Sequence, residues 1–288
     1  MRKITALFVA FFLLVFQVTV AETNKAKSKN TVGICLSGGA ALGFAHIGVL
    51  QALEDNGIKP DYVSGASMGA IIGAFYAAGY SPAQIMKIIS IEKMDKLSNI
   101  FKFPKTSLGF SGMESISKVL KKYIPQNSFE SLHRQFYVCV TNLNTGEWNI
   151  KHSGDKLAEY VCASSAIPTV FEAQLVDGSY YVDGGLLNNL PVEPLREKCH
   201  VVIGVDVLEY PKNQVLKSKT DIAMLSTLAA NAETHRLRKP MCDFYISCDG
   251  ANTYTLFNFD AYKELYHIGY NRTIEYIKAH PALLKKAQ

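Results

Sequence analysis

One stretch, Tyr62-Val63-Ser64-Gly65-Ala66-Ser67-Met68-Gly69-Ala70-Ile71-Ile72-Gly73, constrains this chain more than any other: a short apolar run meets a Gly-x-Ser-x-Gly and passes at once into small residues with helical spacing. That order predicts strand, sharp turn, helix. A serine at the apex of such a turn has a strained backbone, and glycines two positions before and after it let strand and helix approach without Cβ clashes. Its hydroxyl then points out of the sheet edge, with a helix N-terminus directly behind it. A tight turn with an incidental serine would satisfy the pattern alone, so the surrounding sequence has to decide.

Upstream, Thr31 to Leu36 reads as a buried strand, Ser37-Gly38-Gly39-Ala40-Ala41-Leu42-Gly43 as a glycine loop, and Leu42 to Asp55 as a helix stopped at Asn56-Gly57. Together with the serine turn this is a parallel β-α-β-α unit. The loop has two readings. Gly38, Ala40 and Gly43 have the spacing of a dinucleotide fingerprint, with Asp61 downstream, but Asp61 precedes the second strand and the middle glycine is Ala40. The other reading is an oxyanion hole whose small residues expose backbone N–H groups beside the serine, since parallel pairing puts both loops at one sheet edge.

Downstream, Ser81-Pro82 predicts an N-capped helix to about Ser90, and Met113 to Tyr123 an amphipathic one. Between them Phe101, Lys102, Phe103, Lys105 and Phe110 interleave aromatic and basic groups, as a surface loop or as a flap that touches a lipid surface. Phe136–Asn142 and Glu147–His152 read as a hairpin across Asn144-Thr145-Gly146. A second hairpin turns at Asp177-Gly178 and runs into Asp183-Gly184-Gly185. Asp155 is placed to cap a helix from Lys156 to Ser164. Asn189-Pro191 starts another helix, Val201–Val207 reads as the last buried parallel strand, and Thr220–Leu237 and Asp260–Ala279 read as long amphipathic helices.

The division this implies is a signal peptide over 1–21, a lysine-rich linker over 22–30, a catalytic domain over 31–207 and a helical extension over 208–288 packed on the same domain. Met1-Arg2-Lys3, the apolar run Ile4–Phe16 and the small residues to Ala21 carry the export expectation, periplasmic or secreted; an uncleaved anchor is the rival. The net charge is +5, and loss of Arg2 and Lys3 with the leader leaves 5 − 2 = +3, too mild to argue for nucleic-acid binding. Of six cysteines, only Cys242 and Cys248 are close enough in sequence to suggest a disulfide, and no spacing suggests a metal or other cofactor.

The Gly38-Gly39 loop, Ala45-His46-Ile47-Gly48-Val49-Leu50, Gly65-Ala66-Ser67-Met68-Gly69, Ala163-Ser164-Ser165-Ala166-Ile167-Pro168 and Asp183-Gly184-Gly185, in this order, resemble the patatin-like phospholipase family in its bacterial branch. The resemblance implies a three-layer α/β/α fold with a mostly parallel central sheet, acyl hydrolysis of membrane lipids without a cofactor, and a Ser-Asp dyad. On that pattern Ser67 is the nucleophile, Asp183 the base, and Gly38 and Gly39 the oxyanion donors, supported by Gly43, Gly65, Gly69, Gly184 and Gly185. Two positions depart from it: Ala40 replaces a third glycine and Leu42 a basic residue. A carboxylesterase with a Ser-His-Asp triad based on His200, His235 or His267, and an inert lipid-binding protein, are the alternatives.

Overall fold

The computed structural model describes residues 31–94, 105–106, 109–110, 113–168, 170–208 and 219–288. The leader and linker of residues 1–30, and Phe101, Lys102 and Phe103, lie outside the described residues. In order the chain forms β1 (Val32–Leu36), α1 (Ala45–Asp55), β2 (Tyr62–Gly65), α2 (Met68–Ala77) and α3 (Pro82–Ile91). The hairpin strands β3 (Lys105–Thr106) and β4 (Gly109–Phe110) precede α4 (Met113–Tyr123). Then come β5 (Gln135–Asn142), β6 (Glu147–Lys151), α5 (Leu157–Ser164), β7 (Gln174–Val176), β8 (Ser179–Asp183) and α6 (Glu193–Lys198). The chain continues through β9 (Val201–Asp206), α7 (Lys219–Arg238), β10 (Phe244–Ser247), α8 (Tyr262–Ala279) and α9 (Ala282–Ala287).

The main sheet runs β10-β9-β1-β2-β5-β8-β7, with β6 on β5. Its first five strands are parallel, and β6, β8 and β7 are antiparallel additions. Side chains alternate across the parallel strands: Ile34, Leu36, Ile203 and Val205 enter the large core, while Cys35 and Val202 meet Leu195 and Cys199 around α6 on the other face. Both faces are therefore covered, and the fold is three-layer α/β/α.

One consequence of the pairing positions the site. At Val138, β5 pairs with both Gly65 of β2 and Lys151 of β6, so β2 and β6 lie on opposite edges. At Val140 it pairs with both Asp183 of β8 and Asn149 of β6, so β8 lies on the edge that β2 occupies. Running in opposite directions, β2 and β8 meet end to end.

Several local readings change. Residues Ala40–Phe44 form a tight 3-10 turn before α1, so the helix read from Leu42 starts later. Asp155 does not cap α5; Asn127 Oδ1 accepts the Ala158 N–H instead. Helix α6 starts at Glu193, beyond the Asn189-Pro191 segment. The region after Val207 is not only helical, because β10 extends the sheet beside β9. That strand also explains why Cys242 and Cys248 are both free thiols. Four extended residues between them span about 13 Å, twice the Cα separation a disulfide tolerates.

The C-terminal region is bound to the domain by backbone contact. A Cβ on Gly48 of α1 would overlap Tyr266 O, and one on Gly269 of α8 would overlap Ala45 O, so the two helices touch where both lack side chains. Replacing Gly269 with Ala should therefore cost about 3 kcal/mol or more by urea unfolding. Gly146→Ala, whose Cβ meets nothing, should cost only about 1 kcal/mol for its positive φ.

Candidate active site

Ser67 follows β2 with φ 54 and ψ −127, outside helix and strand geometry, and is the residue from which α2 springs. The flanking glycines are required by close approach: a Cβ on Gly65 would crowd Gly69 O, and one on Gly69 would overlap Leu36 O. Backbone this strained costs roughly 1–3 kcal/mol and persists only where neighbours hold it. Here the end of α5 does so. Ser67 N–H donates to Ser164 Oγ at 2.9 Å, and Ser165 Oγ shares its proton between Val161 O at 2.9 Å and Ser67 O at 3.2 Å. The next residue, Ala166, accepts the Asp183 N–H at 2.9 Å. Three consecutive residues thus fix both ends of the pair. None was given a role from sequence, although they belong to a segment that carried the resemblance.

Ser67 Oγ donates to Asp183 Oδ2 at 2.6 Å, and Asp183 Oδ1 accepts the Gly185 N–H at 2.7 Å. Thr141 Oγ1 donates to Asp183 O, adding a second tie to β5. Both Ser67 and Asp183 are buried. Burial pushes the Asp183 carboxyl up from 3.8 to about 7, against the hydrogen bonds from Ser67 and Gly185, which lower it. Gly43 and Gly184 lie against Met68 and the Cys139 carbonyl, where a side chain would not fit.

The glycine loop differs from expectation. Gly38 N–H is turned to Asn189, whose Oδ1 lies at 3.1 Å and whose carbonyl O lies at 3.3 Å, so Gly38 does not present a donor to the serine. Gly39 and Ala40 N–H have no hydrogen-bond partner among the described residues, and both residues line the cavity at Ser67. Ala40 sits at φ 47, where glycine would be at ease. Asn189 was read as the start of a helix; only its position opposite Gly38 in the fold shows that it clamps the loop.

No histidine reaches the pair. His46 is buried, pushed down to about 4 by desolvation, and its Nε2 donates to Ser37 O at 2.8 Å, supporting the loop. His200 and His267 are exposed, and His235 Nδ1 is bound to Asp206 Oδ2. Asp61 accepts the Val32 N–H at the start of β1, the opposite rim of the sheet, which removes the dinucleotide reading. Among the described residues no group of His, Cys, Asp and Glu could hold a metal.

Two cavities meet at Ser67, sharing Ala40 and Ile167. One, of about 110 Å³, passes between Leu186, Leu208, Leu228 and Leu256. The other is smaller and lined by Ile71, Met113, Ile116, Phe171, Phe257 and Phe259. Their walls are predominantly apolar.

The sequence model of the patatin-like phospholipase family matches residues 34–196, more than half of the chain. Lysophospholipase NTE1 of Candida glabrata is 30% identical over 186 residues, 62% of this chain and 11% of that protein. Patatin-like phospholipase domain-containing protein 6 of Mus musculus is 31% identical over 189 residues, 62% of this chain and 14% of its own length. The chain therefore spans only a small part of these curated relatives, which are fungal and mammalian and lend no support to a bacterial branch. In fold it is similar to VipD from Legionella pneumophila, with a TM-score of 0.50 over 88% of this chain and 67% of that one at 18% identity.

A folded-state pKa raised above the unfolded one gives a stabilising contribution that is complete below about 4 and lost as the pH rises through about 7. Asp183→Asn does not titrate, so between pH 4 and pH 8 it should gain stability over the unaltered protein, by up to about 4 kcal/mol. Urea midpoints of both proteins at the two pH values check this; an unchanged difference would mean the carboxylate is solvated.

Proposed function

Because the chain belongs to the patatin-like phospholipase family, we propose that it is a serine hydrolase of lipid acyl esters, of phospholipase A or lysophospholipase type, acting through Ser67 and Asp183. The observation that carries this is the 2.6 Å hydrogen bond between the two side chains at the meeting point of two apolar cavities. Ser67 Oγ attacks the ester carbonyl carbon as its proton passes to Asp183 Oδ2. The carbonyl π electrons move onto oxygen, and the Gly39 and Ala40 N–H groups receive that charge, each contributing about 3 kcal/mol by comparison with similar sites. Collapse expels the alcohol, which takes the proton from Asp183. Water then repeats the sequence on the acyl-enzyme, with the same carboxylate as base, and releases the fatty acid.

The raised carboxyl suits this task, because a base with a pKa near the working pH accepts a hydroxyl proton far more readily than an ordinary aspartate. Apolar walls on both sides of the serine support an acyl substrate, and the names of the curated relatives favour a monoacyl lipid. Contact with a membrane through Phe101, Lys102, Phe103, Lys105 and Phe110 belongs to the same proposal and rests on their composition.

Ser67→Ala and Asp183→Asn should each lower kcat for p-nitrophenyl esters by about 10³-fold or more, with His200→Ala and His267→Ala within twofold of the unaltered protein. Turnover by the unaltered protein should rise with pH to a plateau above about 7. Activity that survives Asp183→Asn but not a histidine substitution would replace the dyad with a triad. Failure of a fluorophosphonate to label Ser67 in the folded protein would point to an inert lipid binder.

Export is likewise proposed from the first 21 residues. Protein recovered from the culture medium or periplasm should begin at Glu22 by intact mass, and recovery of the uncleaved chain in membranes would mean an anchor instead.

A further inference from the structure

Beside the cavity at Ser67 lies a smaller one that shares Asn189, Leu208, Leu228 and Asn231 with it and is also lined by His235. Asn231 and His235 stand one helical turn apart on α7, outside the residues matched by the family model. Asn231 is 6% exposed, and its Oδ1 has no hydrogen-bond partner among the described residues; the same is true of buried His235 Nε2. Buried polar atoms without partners are uncommon, and two beside one cavity call for a group that completes them.

The chemistry of that group follows from what lies behind the imidazole. Asp206 Oδ2 accepts from His235 Nδ1 at 2.9 Å and from Tyr245 OH, while its Oδ1 accepts the Leu208 N–H. Burial works to raise the Asp206 carboxyl, yet these hydrogen bonds and the charge attraction of His235 together hold it below its ordinary value, so at neutral pH it is an acceptor only. His235 Nδ1 therefore carries the proton, which leaves Nε2 as the ring nitrogen that faces a hydroxyl. Asn231 Oδ1 offers a lone pair. Neither cavity is lined by a described Lys or Arg that would meet a phosphate, and Arg238 on the same helix is paired with Glu193.

We propose that Asn231 and His235 form a subsite that hydrogen-bonds a free hydroxyl on the alcohol portion of the substrate, with Asn231 Oδ1 taking its proton, so that the protein prefers monoacyl glycerolipids to those whose neighbouring hydroxyl is blocked. The proposal rests on the hydrolase reading given above. A free glycerol hydroxyl is common to 1-acyl lysophospholipids and 1-monoacylglycerols; a diacyl lipid lacks the neighbouring one.

The test compares kcat/KM for 1-acyl lysophosphatidylcholine and its 2-O-methyl ether, and for 1-monoacylglycerol and its 2-O-methyl ether. The ratio within each pair is independent of the fraction of folded enzyme. The unaltered protein should favour the free hydroxyl by about tenfold or more in at least one pair, and the pair that shows it identifies the headgroup. In Asn231→Leu and in His235→Phe that ratio should fall toward one. Equal turnover of hydroxyl and ether by the unaltered protein, or a preference that both variants keep, would overturn the subsite while p-nitrophenyl ester hydrolysis upholds the hydrolase. Absence of turnover on every ester would overturn both.

Discussion

The site depends on β2 and β8 sharing one edge of β5. A parallel sheet delivers the loops after β1 and β2 to the same rim, because Leu36 and Gly65 are register partners. It does not by itself bring a carboxylate from more than a hundred residues away to face the serine. The antiparallel hairpin does that: β8 enters from beyond the end of β2 and stops at Asp183 opposite Val140, two residues past the Val138–Gly65 pair. A parallel strand in the same place would have presented its N-terminal end there instead. The direction of β8 is thus what converts two distant sequence motifs into a hydrogen-bonded pair.

The strain at Ser67 is contained by groups that also locate its partner. The end of α5 binds Ser67 N–H and C=O through Ser164 and Ser165 and Asp183 N–H through Ala166. Ser164 Oγ in turn donates to Cys139 O of β5 at 2.6 Å, the strand on which β2 and β8 meet. Movement of α5 would shift both members together, so their separation is insulated from small displacements of the helix layer. Asn189 plays the corresponding part for the glycine loop, with its side chain and carbonyl both directed at Gly38.

Much of this was legible in the sequence because its signals are local. Gly65 and Gly69 around Ser67, Ser81-Pro82 at the start of α3, and Asp177-Gly178 each dictate conformation within a few residues. What escaped depends on distance. Strand β10 is four residues long, too short to display a period, and is a strand because β9 leaves an edge open beside it. The choice of Gly39 and Ala40 over Gly38 as exposed amides depends on φ and ψ along the loop and on Asn189, 151 positions away. Likewise, Ser164 and Ser165 look like ordinary small helical residues until the fold brings Ser67 against them.

In the proposed hydrolase, a single physical condition links the base to the substrate. A serine hydroxyl is a very weak acid, and an aspartate in water, with a pKa near 4, is a correspondingly weak base. Enclosing Asp183 among Ile167, Leu186 and the backbone of the glycine loop removes water from its carboxylate and raises its affinity for a proton. The same exclusion of water makes those walls favourable to an acyl chain, and strengthens the interaction of the Gly39 and Ala40 amides with developing negative charge. Hydrating the pocket would weaken substrate burial, proton transfer and oxyanion stabilisation together. On the proposed mechanism the stability sacrificed by burying the carboxylate is bound to its chemistry, and a fold that solvated Asp183 to recover that stability would leave Ser67 hydrogen-bonded but without an effective base.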